Sequence, residues 1–263
     1  MKGNYAMNFK LLVDTAMLAG EIMLSGGAET FRVEDTMTRI LKTSCLERCE
    51  VFVVSTGIVL TLDDSTIDAI SMVRRVEERS TNLGNISVVN DISRKLCNGV
   101  LSVEEAYDSL RELRNQKRYP NWLIYICLII TTAASAVILG SSALECMFAG
   151  INGILIVLSE MLYKKVRINR FVNNMFVCGF IAFATGLFHS IPGIKVQIEP
   201  IIAGSIMPLL PGVAITNAIR DTLQGDYMSG AARVIEAFVI AASLAVGIGV
   251  GLSFSQMFLR LLA

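Results

Sequence analysis

The sequence predicts an α+β domain over about residues 1–120, followed by an all-α membrane domain of five spans over residues 121–263. Hydrophobic residues make up 53% of the 263 residues and the mean hydropathy is +0.58, which is too apolar for an ordinary water-soluble protein. The first 122 residues carry 32 charged side chains, whereas the last 141 carry only 14. Within the first half, apolar residues also change from helical spacing to β spacing and back.

Two amphipathic helices open the chain, at about residues 8–24 and 29–45. From Phe9 to Met23, apolar residues recur at three- and four-residue steps, with charged residues on the other side. The glycine pair at 26–27 ends the first helix, because glycine tolerates the left-handed backbone that closes a helix. The second helix is predicted to bury a stripe made of Val33, Met37, Ile40, Leu41 and Ser44.

Three short runs rich in β-branched residues follow, at Val51–Val54, Ile58–Leu62 and Ile67–Val76. Turn-forming residues separate them, at 55–57 and 63–66. This pattern predicts three antiparallel strands joined as a meander.

Two further helices complete the first domain, at about residues 83–98 and 102–115. The second begins with a capping box, in which Ser102 and Glu105 satisfy backbone donors at the helix start. Asp14 and Glu21 interrupt the first apolar stretch, which is not typical of a secretion signal. We therefore expect the domain to stay on the side of the membrane where it is made.

Five runs in the second half are long and apolar enough to span a membrane. Trp122 and Tyr125, at the start of the first run, suit a membrane interface. The predicted spans are about 123–140, 144–163, 171–190, 201–219 and 234–258. An odd number of spans places the two chain ends on opposite sides.

The positively charged residues predict the orientation, because Lys and Arg stay on the cytoplasmic side. They precede the first span, fill the loop after the second and border the loop after the fourth, whereas the opposite side holds only Lys195 and Arg260. We expect a multi-pass protein of the cell membrane with a cytoplasmic N-terminal domain and with Ala263 outside. The cytoplasmic set is Lys117, Arg118, Lys164, Lys165, Arg167, Arg170, Arg220 and Arg233.

The fourth predicted span contains the strongest local signal for a binding site. Pro208, Pro211 and Gly212 break the helix near mid-membrane, since proline has no amide hydrogen to donate. The half-helix that follows presents free N–H groups and its positive dipole end, which can hold an anionic group. Asn217 and Asp221 lie one turn apart on one face of that half-helix. A proline kink that only shapes packing remains the alternative, as does a solvated helix end for Asp221.

Polar residues of the second predicted span are the other candidates, because a polar side chain in hydrocarbon is costly unless it faces the bundle interior. We expect Asn152 and Glu160 to face the half-helix, with Asp221 or Glu160 as the proton carrier. The predicted substrate-binding set is Pro211, Gly212, Asn217, Asp221, Asn152 and Glu160.

Several classes of function are disfavoured. The net charge is zero and no run of Lys or Arg exceeds two residues, so we expect no nucleic-acid partner. The six cysteines form no C-x-x-C pair and His189 is the only histidine, so neither a metal site nor a disulfide framework is predicted. There is no phosphate loop or nucleophile elbow, so we expect neither an enzyme nor a cofactor.

A series of short motifs extends over nearly the whole chain. They are Gly26–Thr36, Ser55–Ile58, Asn82-Leu83, Val89–Arg94, Leu101-Ser102 with Glu105-Ala106, Pro208–Asp221, Gly225-Asp226, Ser229-Gly230 and Ala232-Arg233. In this order they resemble the threonine/serine exporter family. Several ordered motifs are far more specific than any one of them.

The resemblance implies export of small amino acids, or in some split bacterial members a dicarboxylate such as succinate, driven by an ion gradient. Full-length members carry twice as many spans, so this chain resembles the larger subunit of the split form, whose partner is a separate small membrane subunit. A homo-oligomer also stays open, and membrane lipid is the remaining partner. The alternative is a membrane-anchored metabolite sensor or regulator, although a plain anchor needs no broken span.

Overall fold

The structure is a computed structural model that describes residues 8–77, 80–116, 119–166, 169–193 and 195–262. The chain forms two compact units: Met1–Gln116 with Gly212–Ile235, and Lys117–Pro211 with Glu236–Ala263. The elements are α1 (Phe9–Ser25), α2 (Thr30–Lys42), β1 (Arg48–Val54), β2 (Gly57–Asp64), β3 (Ile67–Arg75), α3 (Leu83–Cys97), α4 (Val103–Asn115), α5 (Asn121–Ile138), α6 (Ala143–Val166), α7 (Arg170–His189), α8 (Ile198–Ile206), a 3₁₀ turn (Met207–Leu209), α9 (Gly212–Leu223) and α10 (Tyr227–Leu262).

Helix α1 is the central element of the first unit and is buried along most of its length. Asn8 caps its start by accepting a hydrogen bond from the backbone N–H of Leu11 at 3.1 Å. The helix ends where predicted, and Gly27 takes the left-handed backbone with φ +87°. Helix α2 ends at Lys42, earlier than predicted, because the chain turns at Cys45 with φ 59°.

The three strands form one antiparallel sheet in the order β1-β2-β3. Val53 pairs with Ile58, and Leu60 of the central strand pairs with Met72 of β3. Alternate residues of β2, among them Ile58 and Leu60, are buried in the core formed with the helices. The prediction of a three-stranded antiparallel sheet after two helices is confirmed.

Helices α3 and α4 pack on α1 and close this core. The capping box of α4 is present: Glu105 accepts from the backbone N–H of Ser102 at 2.8 Å, and the Ser102 hydroxyl accepts from Glu105 at 3.2 Å. The first unit also contains α9 and the first residues of α10. This differs from the predicted division, in which those segments belong to the membrane domain.

The second unit is almost entirely helical and apolar. Within the described residues, four helices are long and apolar enough to cross a membrane, or five if α8 and α9 count as one broken span. Helix α5 packs against α6 and α8, and the carbons of Ala136 lie so close to Gly204 that no side chain fits there. The prediction of five spans is thus confirmed in part: the second half is mostly helical, with four to five membrane-capable helices among the described residues.

The predicted orientation depends partly on Lys117, Arg118, Arg167 and Ala263, which lie outside the described residues. Orientation of the chain ends therefore stays a prediction.

Candidate functional site

The structure divides the predicted site residues between the two units. Gly212, Asn217 and Asp221 belong to the first unit. The second unit holds Asn152, Glu160 and Pro211. Each unit builds its own buried polar cluster.

Asp221 is the centre of the cluster in the first unit and is only 1% exposed. Its Oδ1 accepts hydrogen bonds from the backbone N–H and the hydroxyl of Thr30, at 3.2 and 3.0 Å. Its Oδ2 lies 2.9 Å from Nε of Arg233, which is also buried. The carboxylate is therefore compensated by one positive charge and two donors, as a buried charge must be.

The hydroxyl of Thr30 contacts a second carboxylate as well. It lies 2.8 Å from Oδ2 of Asp226, which is half-buried. A hydroxyl carries one proton and an ionised carboxylate only accepts, so both contacts are full hydrogen bonds only when one of the carboxyl groups is protonated. This arrangement can hold a proton.

Two more bonds join α9 and α10 to the loop between α1 and α2. Asn217 donates its amide to the carbonyl oxygen of Gly27 at 2.8 Å, and Arg233 donates to that of Ala28 at 3.0 Å. Those carbonyl oxygens are available because the chain leaves α1 at Gly27 and no helix follows until Thr30. We call Thr30, Asn217, Asp221, Asp226 and Arg233 the α9 cluster.

Other charged residues flank the α9 cluster. Arg220 forms an ion pair with Glu29 at the surface. Glu34 accepts a hydrogen bond from the backbone N–H of Val53 at 2.8 Å. Burial raises the pKa of Glu34, the bond from Val53 opposes this change, and the negative charge of Asp226 raises the pKa further.

The polar cluster of the second unit joins three apolar helices. Asn152 of α6 donates its amide to the hydroxyl oxygens of Thr185 of α7 and Ser205 of α8, at 3.0 and 3.1 Å. All three residues are fully buried. The two hydroxyls donate in turn to the carbonyl oxygens four residues earlier on their own helices. We call these three residues the Asn152 cluster.

The amide oxygen of Asn152 is the unusual atom of this cluster. It is buried, and no described residue donates a hydrogen bond to it. Both hydroxyl protons are already used, so the cluster cannot supply a donor. A buried acceptor without a donor is costly, and it is a natural contact point for a ligand that carries one.

The remaining predicted residues lie apart from these clusters. Glu160 is half-buried on α6, and eight residues of helical rise separate it from Asn152 by about 12 Å. Pro211 ends the first segment of the second unit, and exposed Gly212 begins α9. A side chain placed at Gly212 would meet nothing within 4 Å.

Five residues of the two clusters are absent from the predicted substrate-binding set: Thr30, Asp226, Arg233, Thr185 and Ser205. Thr30, Asp226 and Arg233 do lie within the ordered motifs, so that signal was available. Thr185 and Ser205 gave no signal, since each is a common small polar residue inside an apolar helix. Within the described part of the chain, no group of three or more His, Cys, Asp or Glu side chains is arranged to hold a metal ion.

Comparison with known proteins adds to this geometry. The threonine/serine exporter family matches residues 14–255. A Mycobacterium tuberculosis protein described as a probable threonine/serine exporter is 24% identical over 94% of this chain and 46% of its own length. The threonine/serine exporter of Corynebacterium glutamicum is 25% identical over 69% of this chain and 38% of its own length.

A shorter relative matches nearly end to end. The probable succinate transporter subunit YjjP of Klebsiella aerogenes is 24% identical over 86% of this chain and 87% of its own length. The chain thus spans less than half of the two exporters but most of this subunit. No solved structure matches the chain significantly.

Proposed function

Because the chain belongs to the threonine/serine exporter family, we propose that it is one subunit of a secondary-active exporter that moves small amino acids of the threonine/serine kind out of the cytoplasm. Its partner would be a second membrane subunit that supplies the half found in the longer relatives. The match to a relative named as a transporter subunit supports this arrangement. In this proposal residues 1–120 are cytoplasmic and Ala263 lies outside.

The observation that carries the proposal is the Asn152 cluster. A polar group buried among membrane helices is typical of a solute pathway. The amide oxygen of Asn152 lacks a donor among the described residues, and the ammonium or hydroxyl group of an amino acid would supply one. An ionised dicarboxylate has no such donor. The cluster therefore favours an amino acid, with a small dicarboxylate as the alternative cargo.

Coupling to an ion gradient is assigned to the α9 cluster. Asp221 and Asp226 share the hydroxyl of Thr30, so one proton can be accommodated there. We assign Asp221 as the proton carrier, with Asn217 holding α9 against the loop at Gly27. Glu160 is the second candidate carrier.

The helix break supplies an anion-attracting position. Pro211 cannot donate a hydrogen bond, and the first N–H groups of α9 begin at exposed Gly212. A solute carboxylate fits such a helix start. Pro211→Ala should lower export by extending the helix, whereas unchanged export would reduce the break to a packing kink.

The test is efflux of labelled threonine and labelled succinate from preloaded cells. The chain is co-expressed with a candidate small membrane subunit of about four or five spans, or expressed alone. We expect threonine efflux only with both proteins present. Asn152→Leu should lower efflux about ten-fold or more at an equal membrane level, because it removes the proposed cargo contact.

The matched control is Asn173→Leu. Asn173 is another buried asparagine of the second unit, but its amide oxygen already accepts a hydrogen bond from Ser159 at 2.9 Å. We expect a smaller loss of efflux in this variant. Equal efflux by wild type and Asn152→Leu would contradict the assigned contact. Equal efflux with and without the chain would favour the sensor alternative.

A further inference from the structure

The first unit contains a polar cavity, which none of the α9 cluster residues lines. It has a volume of about 300 Å³ and lies between α1, β3 and α4. We propose that this cavity binds a free α-amino acid from the cytoplasm, at a site distinct from the transported cargo. Its charged lining consists of Asp14, Glu21, Arg74, Arg111 and Arg114.

Two of the three arginines, Arg74 and Arg114, already form ion pairs with Glu21. Oε2 of Glu21 lies 3.8 Å from Nε of Arg74 and 3.6 Å from Nη1 of Arg114. One carboxylate therefore bridges two guanidinium groups from different elements. This bridge connects β3 and α4 to α1 at the edge of the cavity.

The other two charged groups of the lining are Asp14 and Arg111. Within residues 8–77 and 80–116, neither Asp14 nor Arg111 forms an ion pair. Asp14 and Glu21 are seven residues apart on α1, and so lie on one side of that helix. The cavity thus offers one available carboxylate and one available guanidinium.

This charge pattern selects the class of ligand. An α-amino acid carries one carboxylate and one ammonium group, which match Arg111 and Asp14 respectively. A dicarboxylate needs two available cations, and Arg74 and Arg114 already share Glu21. The volume is at the lower end of the range for small-molecule sites, which suits a ligand of this size.

The rest of the lining fits a small side chain. Met17 and Leu18 are buried and give the cavity an apolar wall. Tyr107 supplies a hydroxyl group beside the charged residues. An amino acid with a short side chain is therefore accommodated without burying an unpaired polar group.

The role we assign is sensing of the cytoplasmic amino acid level, and this role rests on the proposed function. Binding of the amino acid does not rest on the proposed function, because it can be measured without transport. The full-length chain is purified in detergent micelles and titrated with L-threonine or with succinate in a calorimeter. We expect saturable threonine binding and no comparable succinate binding.

Variants separate this cavity from the cargo site. Arg111→Gln and Asp14→Asn should each weaken threonine binding about ten-fold or more, because each removes one charged partner of the ligand. Arg48→Gln is the matched control, since Arg48 forms an exposed ion pair with Asp63 outside this cavity and should bind as wild type. Asn152→Leu should retain the binding.

Three results would overturn the inference. They are absence of threonine binding, equal binding of succinate, and unchanged affinity in both Arg111→Gln and Asp14→Asn. If Asn152→Leu alone removed binding, the cargo site would explain it and the exporter proposal would stand. Arg111-dependent binding, combined with no efflux even when the candidate second subunit is co-expressed, would instead refute the exporter proposal and leave this site intact.

Discussion

Replacing Arg233 by methionine should destabilise the first unit strongly, because it leaves a buried carboxylate without its counter-charge. Asp221 is 1% exposed and cannot be rehydrated without opening the structure. Removing one partner of a buried ion pair costs about 3–5 kcal/mol. Thr30 still donates to Oδ1 through its backbone N–H and hydroxyl, so we expect a value near the lower limit, about 3 kcal/mol. This is a large fraction of the typical stability of a domain, about 5–15 kcal/mol.

The matched control is Arg220→Met, which lies on the same helix pair. The side chain of Arg220 is 58% exposed although that of its partner Glu29 is only 18% exposed, so solvent reaches the pair from the Arg220 side and screens it. We expect a loss below about 1 kcal/mol. The double variant Asp221→Leu with Arg233→Met removes both charges and should recover much of the stability lost in Arg233→Met alone.

The assay is proteolysis of the full-length protein in detergent over a urea series, which measures the free energy of opening of the first unit. Cleavage within residues 80–116 reports that unit. If Arg233→Met and Arg220→Met were equally stable, the buried pair would not stabilise the unit as the geometry requires. Additive losses in the double variant would show that the two charges do not interact.

Three further predictions follow from other parts of the molecule. Gly247→Ala should lower the melting temperature in detergent, because the added carbon overlaps the carbonyl oxygen of Met175, whereas Gly249→Ala, with nothing within 4 Å, should not. Glu34→Gln should stabilise the first unit against urea unfolding at about pH 7 and lose this advantage near pH 4. The reason is that the pKa of Glu34 is raised in the folded state, so its carboxyl group stabilises the fold when protonated and loses that contribution as pH rises. At 164–170, only a reporter enzyme that works inside the cytoplasm should be active. After Ala263, only a reporter enzyme that works outside the cytoplasm should be active, as the charge bias predicts.

The fold of the first unit was predictable because its signals are local. The alternation of β2 and the glycine pair after α1 each determine an element from a few neighbouring residues. The end of α2 was not predicted well, since Ser44 continues the apolar-stripe spacing although the chain has already turned. The spacing of buried positions does not reveal such a turn when the residues that form it are also common in helices.

The candidate site was predictable only in part. The one-turn spacing of Asn217 and Asp221 correctly indicated a single face of α9, and both residues are buried. The partners of that face are Gly27 and Thr30, about 190 residues earlier in the chain. Spacing along one helix holds no information about a partner at such a distance.

Arg233 differs from Thr30 in this respect, because its pairing with Asp221 has a local basis. Gly225 takes a left-handed backbone with φ +94° and Asp226 precedes α10, which are the end and start signals of two consecutive helices. Helices joined by so short a turn run back along each other, and Gly230 lies directly against Thr222. Arg233 is nearly one turn beyond Gly230, and its long side chain reaches Asp221 across the hairpin. A carboxylate shortly before such a turn and a guanidinium shortly after it therefore predict an ion pair across the hairpin. The same carboxylate, considered alone on its helix face, is equally compatible with a position that lines a solute pathway through the membrane.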